Sequence, residues 1–152
     1  MISFLDLHKI NLRFEEEFKN KFTDFLDTGY YILGSNVTVF EEEFASYCGT
    51  NYCIGVGNGL DALRLILEGY KVLGKLSNND EVLVASNAYI ATILAIKQAG
   101  LTPVLVASED DTFNFNLNEL SNSITSKTRA IMPVHLYGQL SPMDAINEIA
   151  AK

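Results

Sequence analysis

Apolar residues in the first third of the chain fall at helical spacing. Over residues 11–27, Leu12, Phe14, Phe18, Phe22, Phe25 and Leu26 recur on one side, with Glu15, Glu16 and Glu17 on the other. That pattern predicts an amphipathic helix with a solvated acidic face. Residues 1–10 read as an extended lead-in, and Gly29 ends the helix. The next stretch, GYYILGS over 29–35, is apolar and aromatic where a surface connection is normally polar. It is expected to pack on a core, line a pocket or meet another subunit. A second helix is expected over 37–48, with Val39, Phe40, Phe44 and Tyr47 on one face and Gly49 as its stop.

From residue 52 the pattern changes. Short apolar runs at 52–56, 81–85, 102–106 and 128–134 predict strands. Helical patterns separate them at 59–73, 88–100 and 116–124, and a last one starts at the Ser141-Pro142 pair. Asn87 and Asn116 are candidate caps, the latter with Glu119 as a capping box. Strands alternating with helices predict an α/β fold with a mainly parallel sheet. The expected organisation is a helical segment over 1–50, then the first part of an α/β domain over 51–152. No closing strand follows the last helix, so that domain reads as incomplete.

Composition narrows the class. Of 152 residues, 48% are hydrophobic, which supports a buried core. The net charge of −8 shows no basic patch, so neither nucleic acid nor an anionic membrane is an expected partner. The longest apolar run, Ala88 to Ile96, is too short to span a bilayer. Cys48 and Cys53 match no metal or redox spacing and read as reduced thiols of a cytoplasmic protein.

Candidate chemistry gathers at YCIGVGNGLDALRLIL, residues 52–67, where an apolar run meets Gly55, Gly57 and Gly59 and a helix begins. Such a turn aims free backbone N–H groups at an anion. The G-x-G-x-G spacing misses the dinucleotide fingerprint, and no acidic residue ends the following strand. A Walker loop is excluded because no Gly-Lys-Ser/Thr follows. A single phosphate monoester on the N–H groups of Gly59, Leu60 and Asp61 remains, against a plain tight turn. Tyr89 opens the next helix at the same sheet edge, and its ring suits a flat group carrying that phosphate, or else packs in the core. His135, at a strand end with no carboxylate beside it in sequence, reads first as a hydrogen-bonded structural residue. His8 has no case for a catalytic role.

Three stretches together resemble the DegT/DnrJ/EryC1/StrS family: VTVFEEEFASYCGTNYCIGVGNGLDAL, NAYIATILAIKQAG and KTRAIMPVHLYGQ. The resemblance implies the large domain of fold type I transferases that depend on pyridoxal 5′-phosphate (PLP). It implies amino transfer, from glutamate as usual donor, to a nucleotide-linked keto-deoxysugar by a homodimer. The opening FLDLHKINLRFEEEF looks nearest to members acting on dTDP-3-keto-6-deoxyhexoses. By the same resemblance, Gly59 and Leu60 hold the PLP phosphate with Asp61 following, and Tyr89 stacks on the ring. Tyr31 and Gln139 would approach the substrate. Leu60 stands where most members carry Ser or Thr, so only its backbone contribution carries over. Ala85 or Ser86 stands where many carry proline.

The family's lysine that bonds the cofactor, and the acid that partners its ring nitrogen, match positions beyond residue 152. Lys97, Lys127 and Lys152 stand at no matching position. The 152 residues alone are therefore expected not to transaminate, and to expose apolar surface that makes them associate. Two other readings stay open: a non-catalytic fragment retained for dimerisation, and a Rossmann-type nucleotide-binding domain.

Overall fold

A computed structural model describes residues 4–151. The chain divides into two compact units, residues 1–55 and 56–152.

The first unit is helical. Helix α1 (Leu7–Asn11) is capped by Asp6, whose Oδ1 accepts the Lys9 N–H at 3.0 Å. Residues 7–11 are thus helical rather than an extended lead-in, because the aspartate satisfies an N–H that the first turn leaves free. A 3₁₀ turn at Leu12–Phe14 leads into α2 (Glu15–Asp27). Lys19 pairs with Glu15 at 2.7 Å and Glu16 at 3.4 Å on its outer face. The Lys19 hydrogen bond holds the Glu15 carboxyl below its usual range, and Glu15 in turn raises Lys19. Helix α3 (Ser35–Cys48) starts two residues earlier than its apolar pattern and ends at Gly49, whose φ of +68° suits glycine. Ala45 is the one described residue of this unit that is fully buried. The stripe of Phe14, Phe18, Phe22 and Leu26 is exposed.

The run at 52–56 forms no strand. Among the described residues no segment pairs with it. Tyr52 and Ile54 are 86% and 80% exposed, and the Gly55 N–H is taken instead by Glu41 Oε1 at 2.6 Å. A strand exists through a neighbour's hydrogen bonds, which an apolar run does not supply by itself.

The second unit is a three-layer α/β arrangement. Strands β1 (Glu81–Ala85), β2 (Thr102–Val106) and β3 (Thr128–Met132) form a fully parallel sheet in the order β2-β1-β3. Helix α4 (Gly59–Val72) precedes β1, and α5 (Ile90–Gln98), α6 (Leu117–Asn122) and α7 (Met143–Ala150) follow the three strands in turn. The unbroken apolar run of β1 fits a strand covered on both faces. Val82, Leu83 and Val84 have no exposed surface. Burying each contributes about 1.5–3 kcal/mol. Val82 and Val84 pack with Leu67 of α4 and Ile96 of α5, whereas Leu83 and Ala85 pack with Leu120 of α6 and Ile146 of α7. The register of β1 against β3 breaks between Glu81 and Val82, leaving Arg129 as the extra residue.

The caps split. Asn116 Oδ1 accepts the Glu119 N–H at 2.9 Å, as expected. Asn87 does not cap α5. Its Nδ2 donates to the Phe113 carbonyl at 2.9 Å, and the helix begins two residues later than Ala88, after Tyr89. The last helix starts at Met143 with Pro142 as its boundary residue, one position beyond the expected pair.

Candidate functional site

Lys71, in the last turn of α4, donates to the Ala99 carbonyl at the end of α5 (2.9 Å). The two helices therefore run parallel, and both begin at the carboxyl edge of the sheet. The exits of adjacent strands diverge there: β1 feeds α5 on one face and β3 feeds α7 on the other. Such a divergence opens a crevice at the strand ends, where open α/β sheets bind ligands. At the same edge Ala85, Asn87, Ala88, Phe113, Val134 and Ser141 line a small pocket between the turns after the three strands.

The start of α4 forms one side. Asn58 is extended, and its Oδ1 accepts the Asp61 N–H at 3.0 Å while its Nδ2 donates to Asp61 Oδ2 at 3.0 Å. The Asp61 N–H expected in the anion cradle is thus already occupied, because the residue before a helix caps the third helical position. Among the described residues no protein acceptor engages the Gly59 or Leu60 N–H. These two remain free at the positive end of a 14-residue helix. A Cβ at Gly59 would meet nothing within 4 Å, so no packing contact demands glycine there. Asn58 is a residue of this site outside the sequence-derived set. The signal available was an Asn with an Asp three residues on, directly before an apolar helical run.

Tyr89 stands at the head of α5 and is 75% exposed. It is not a core residue. On the β3 side, the turn after the strand places Tyr137 at φ 52° and Gly138 at φ 82°. Tyr137 is fully exposed, and a bulky residue in the left-handed region is a strained position of the kind that clusters at functional sites. Gln139 follows, exposed, its N–H donating to the Leu136 carbonyl at 3.0 Å. His135 Nδ1 accepts the Ser141 N–H at 3.1 Å. The buried Ser141 Oγ donates to the Val134 carbonyl at 2.9 Å and lies 3.2 Å from Asn114 Oδ1. His135 is hydrogen-bonded as expected.

Gly59, Leu60, Asp61, Tyr89 and Gln139 thus all belong to one unit, the first four on elements that begin at one sheet edge. Tyr31 belongs to the other unit. Its hydroxyl donates to the Leu26 carbonyl at 3.1 Å, and its ring lies 5.1 Å from that of Phe25. No group of metal-ligating side chains occurs among the described residues, and no described helix is long and apolar enough to cross a membrane.

The fold and this edge define a class: parallel α/β domains that carry a ligand at diverging strand ends, with a helix start to receive an anion. Within that class the chain belongs to the DegT/DnrJ/EryC1/StrS aminotransferase family, whose profile matches residues 13–152. It is 53% identical over 153 residues to the dTDP-3-amino-3,6-dideoxy-alpha-D-galactopyranose transaminase of Aneurinibacillus thermoaerophilus, covering 100% of this chain and 41% of the relative. It is 42% identical to the dTDP-3-amino-3,4,6-trideoxy-alpha-D-glucose transaminase of Streptomyces venezuelae, covering 98% and 38%. Among solved structures, S. venezuelae DesV superposes with a TM-score of 0.89 at 41% identity, over 99% of this chain and 39% of that one. E. coli GDP-4-keto-6-deoxy-D-mannose-3-dehydratase with bound hydrated PLP gives 0.79 at 27% identity, over 85% and 34%. The chain spans about two fifths of the length of the curated relatives it matches.

Proposed function

We propose that this chain supplies the cofactor cradle of a PLP-dependent transaminase acting on a nucleotide-linked keto-deoxysugar, with glutamate as donor. The observation that carries the reading is the pair of free N–H groups of Gly59 and Leu60 on the same sheet edge as the exposed Tyr89 ring. These residues fit PLP: two N–H groups and a helix dipole for its phosphate, and an aromatic face for its ring. Asp61 holds the turn through Asn58 rather than lending its N–H. When bound, PLP supplies the electron sink that amino transfer requires. The residues of this chain bind and orient it. Tyr31 and Gln139 are the proposed substrate contacts, and the dTDP-sugar names of the relatives support a sugar nucleotide. The homodimer is part of the same proposal, supported by the exposed aromatic loop and helix faces. A cytoplasmic location is supported by the free thiols of Cys48 and Cys53.

Two measurements test this. Pyridoxine 5′-phosphate has the ring and phosphate of PLP but no aldehyde to react with surface lysines. It should bind the 152-residue chain, and absence of binding overturns the cofactor reading. The full gene product should release 2-oxoglutarate from glutamate only when a nucleotide-linked keto sugar is present, and equal release without the sugar overturns the substrate reading. The 152-residue chain alone should release none, and borohydride treatment with PLP should label no single lysine preferentially.

A further inference from the structure

The turn after β3 gives the ring of His135 a backbone partner. A backbone N–H can only donate, so the Ser141 N–H at 3.1 Å makes His135 Nδ1 an acceptor that carries no hydrogen. In the neutral ring the hydrogen then sits on Nε2, which is left as a donor. This arrangement is held from several sides. Ser141 is buried, and its hydroxyl is tied to the Val134 carbonyl at 2.9 Å. Asn114 joins the turn after β2 to the same segment through Ser141 Oγ at 3.2 Å and the Leu140 carbonyl at 3.4 Å. Asn87 joins the turn after β1 through the Phe113 carbonyl at 2.9 Å. The three loops at the carboxyl edge are thus stitched by side chains, and the imidazole remains exposed at their rim.

Its place matters. Val84 of β1 pairs with Met132 of β3. His135 stands three residues beyond Met132 and Tyr89 five beyond Val84, on the two strand exits that diverge around the crevice. Adjacent strands run about 4.8 Å apart. His135 and Tyr89 therefore leave the sheet from neighbouring strands at the same edge.

We infer that His135 is a ligand-positioning donor: its Nε2–H hydrogen-bonds an oxygen of the phosphorylated aromatic group held in the crevice, and Ser141 N–H fixes the tautomer that allows it. This rests on the cofactor reading above and adds a residue and a protonation state to it. A histidine kept only for structure needs the Nδ1 bond alone. A donor also needs Nε2 free and facing the ligand.

The test uses ¹⁵N-histidine-labelled 152-residue chain and pyridoxine 5′-phosphate, with inorganic phosphate as a second ligand. Without ligand, two-bond ¹H–¹⁵N correlations at neutral pH should show the His135 hydrogen on Nε2. A hydrogen on Nδ1 overturns the inference whatever the ligand does. On saturation the Nε2 resonance should shift. Replacing the donor by His135→Phe should weaken binding of the analogue about tenfold, and His135→Gln, which keeps an N–H donor at similar reach, should restore most of it. A His135→Phe chain that is folded by circular dichroism and binds as well as the parent overturns the inference and leaves the cofactor reading standing. Failure of the parent chain to bind the analogue overturns both. A shift with inorganic phosphate alone assigns the accepting oxygen to the phosphate, and a shift needing the whole analogue assigns it to the ring.

Discussion

Replacing Asn58 by Ala separates the two jobs of the turn before α4. In the native chain Asn58 Oδ1 accepts the Asp61 N–H at 3.0 Å, and its Nδ2 steadies the Asp61 carboxylate at 3.0 Å. Loss of a helix N-cap costs about 0.5–2 kcal/mol, typically near 1. The exposed amide–carboxylate bond adds a few tenths at most, because water replaces it readily. The second unit holds on the order of 100 residues, so about 1 kcal/mol lowers its Tm by roughly 4–8 °C. Binding should behave differently. The Gly59 and Leu60 N–H groups are untouched, and the substitution releases the Asp61 N–H as well. Affinity for pyridoxine 5′-phosphate should therefore stay within about threefold of the parent at a temperature where both are folded, since a tenfold change would need about 1.4 kcal/mol. Thermal denaturation by circular dichroism gives the first number and calorimetric titration the second. Amide exchange at Asp61 should accelerate in the variant. An unchanged Tm with unchanged Asp61 exchange would refute the cap. A collapse of affinity in a folded variant would refute the assignment of the anion to Gly59 and Leu60.

Three further outcomes follow from the same geometry. Leu83→Ala removes a side chain with no exposed surface, packed among Val106, Leu120 and Ile146, and should cost about 2–5 kcal/mol in urea denaturation of the second unit. Tyr89→Ala should weaken pyridoxine 5′-phosphate binding by about 1 kcal/mol while Tyr89→Phe retains it; since the ring is exposed, Tm should barely move in either. The Lys19 pairing lowers the folded-state pKa of Glu15. Its contribution is therefore present above the unfolded pKa and fades as pH falls through the folded one. The helicity of α2 should drop slightly over that acidic window, and the drop should vanish in a Lys19→Ala chain.

Much of the second unit was legible in the chain. The run EVLVA is short, rich in β-branched valine and apolar at four successive positions, as a strand covered on both faces is, and β1 is that strand. Asn116 with Glu119 marked a cap that forms as read. Gly29, Gly49 and Gly100 marked turns that the backbone makes at positive φ. The start of α4 at Gly59 and the place of Tyr89 at the head of α5 were likewise readable, because each depends on residues within a few positions of one another.

What the chain did not disclose depends on residues far apart. The run at 52–56 has the composition of a strand and, among the described residues, no partner to pair with, and its Gly55 N–H goes to Glu41, fourteen residues away. Asn87 looks like a cap in sequence, yet a carbonyl brought near by the β2–α6 turn takes its amide. Asp61 was counted among the anion donors until the cap formed by Asn58 occupied its N–H. His135 Nδ1 accepts the N–H of Ser141, six residues on, only because the turn after β3 folds back. Local hydrogen-bonding habits and hydrophobic periodicity reside in the sequence. The competition for each donor and acceptor is settled when the strands assemble and bring distant groups within 3 Å.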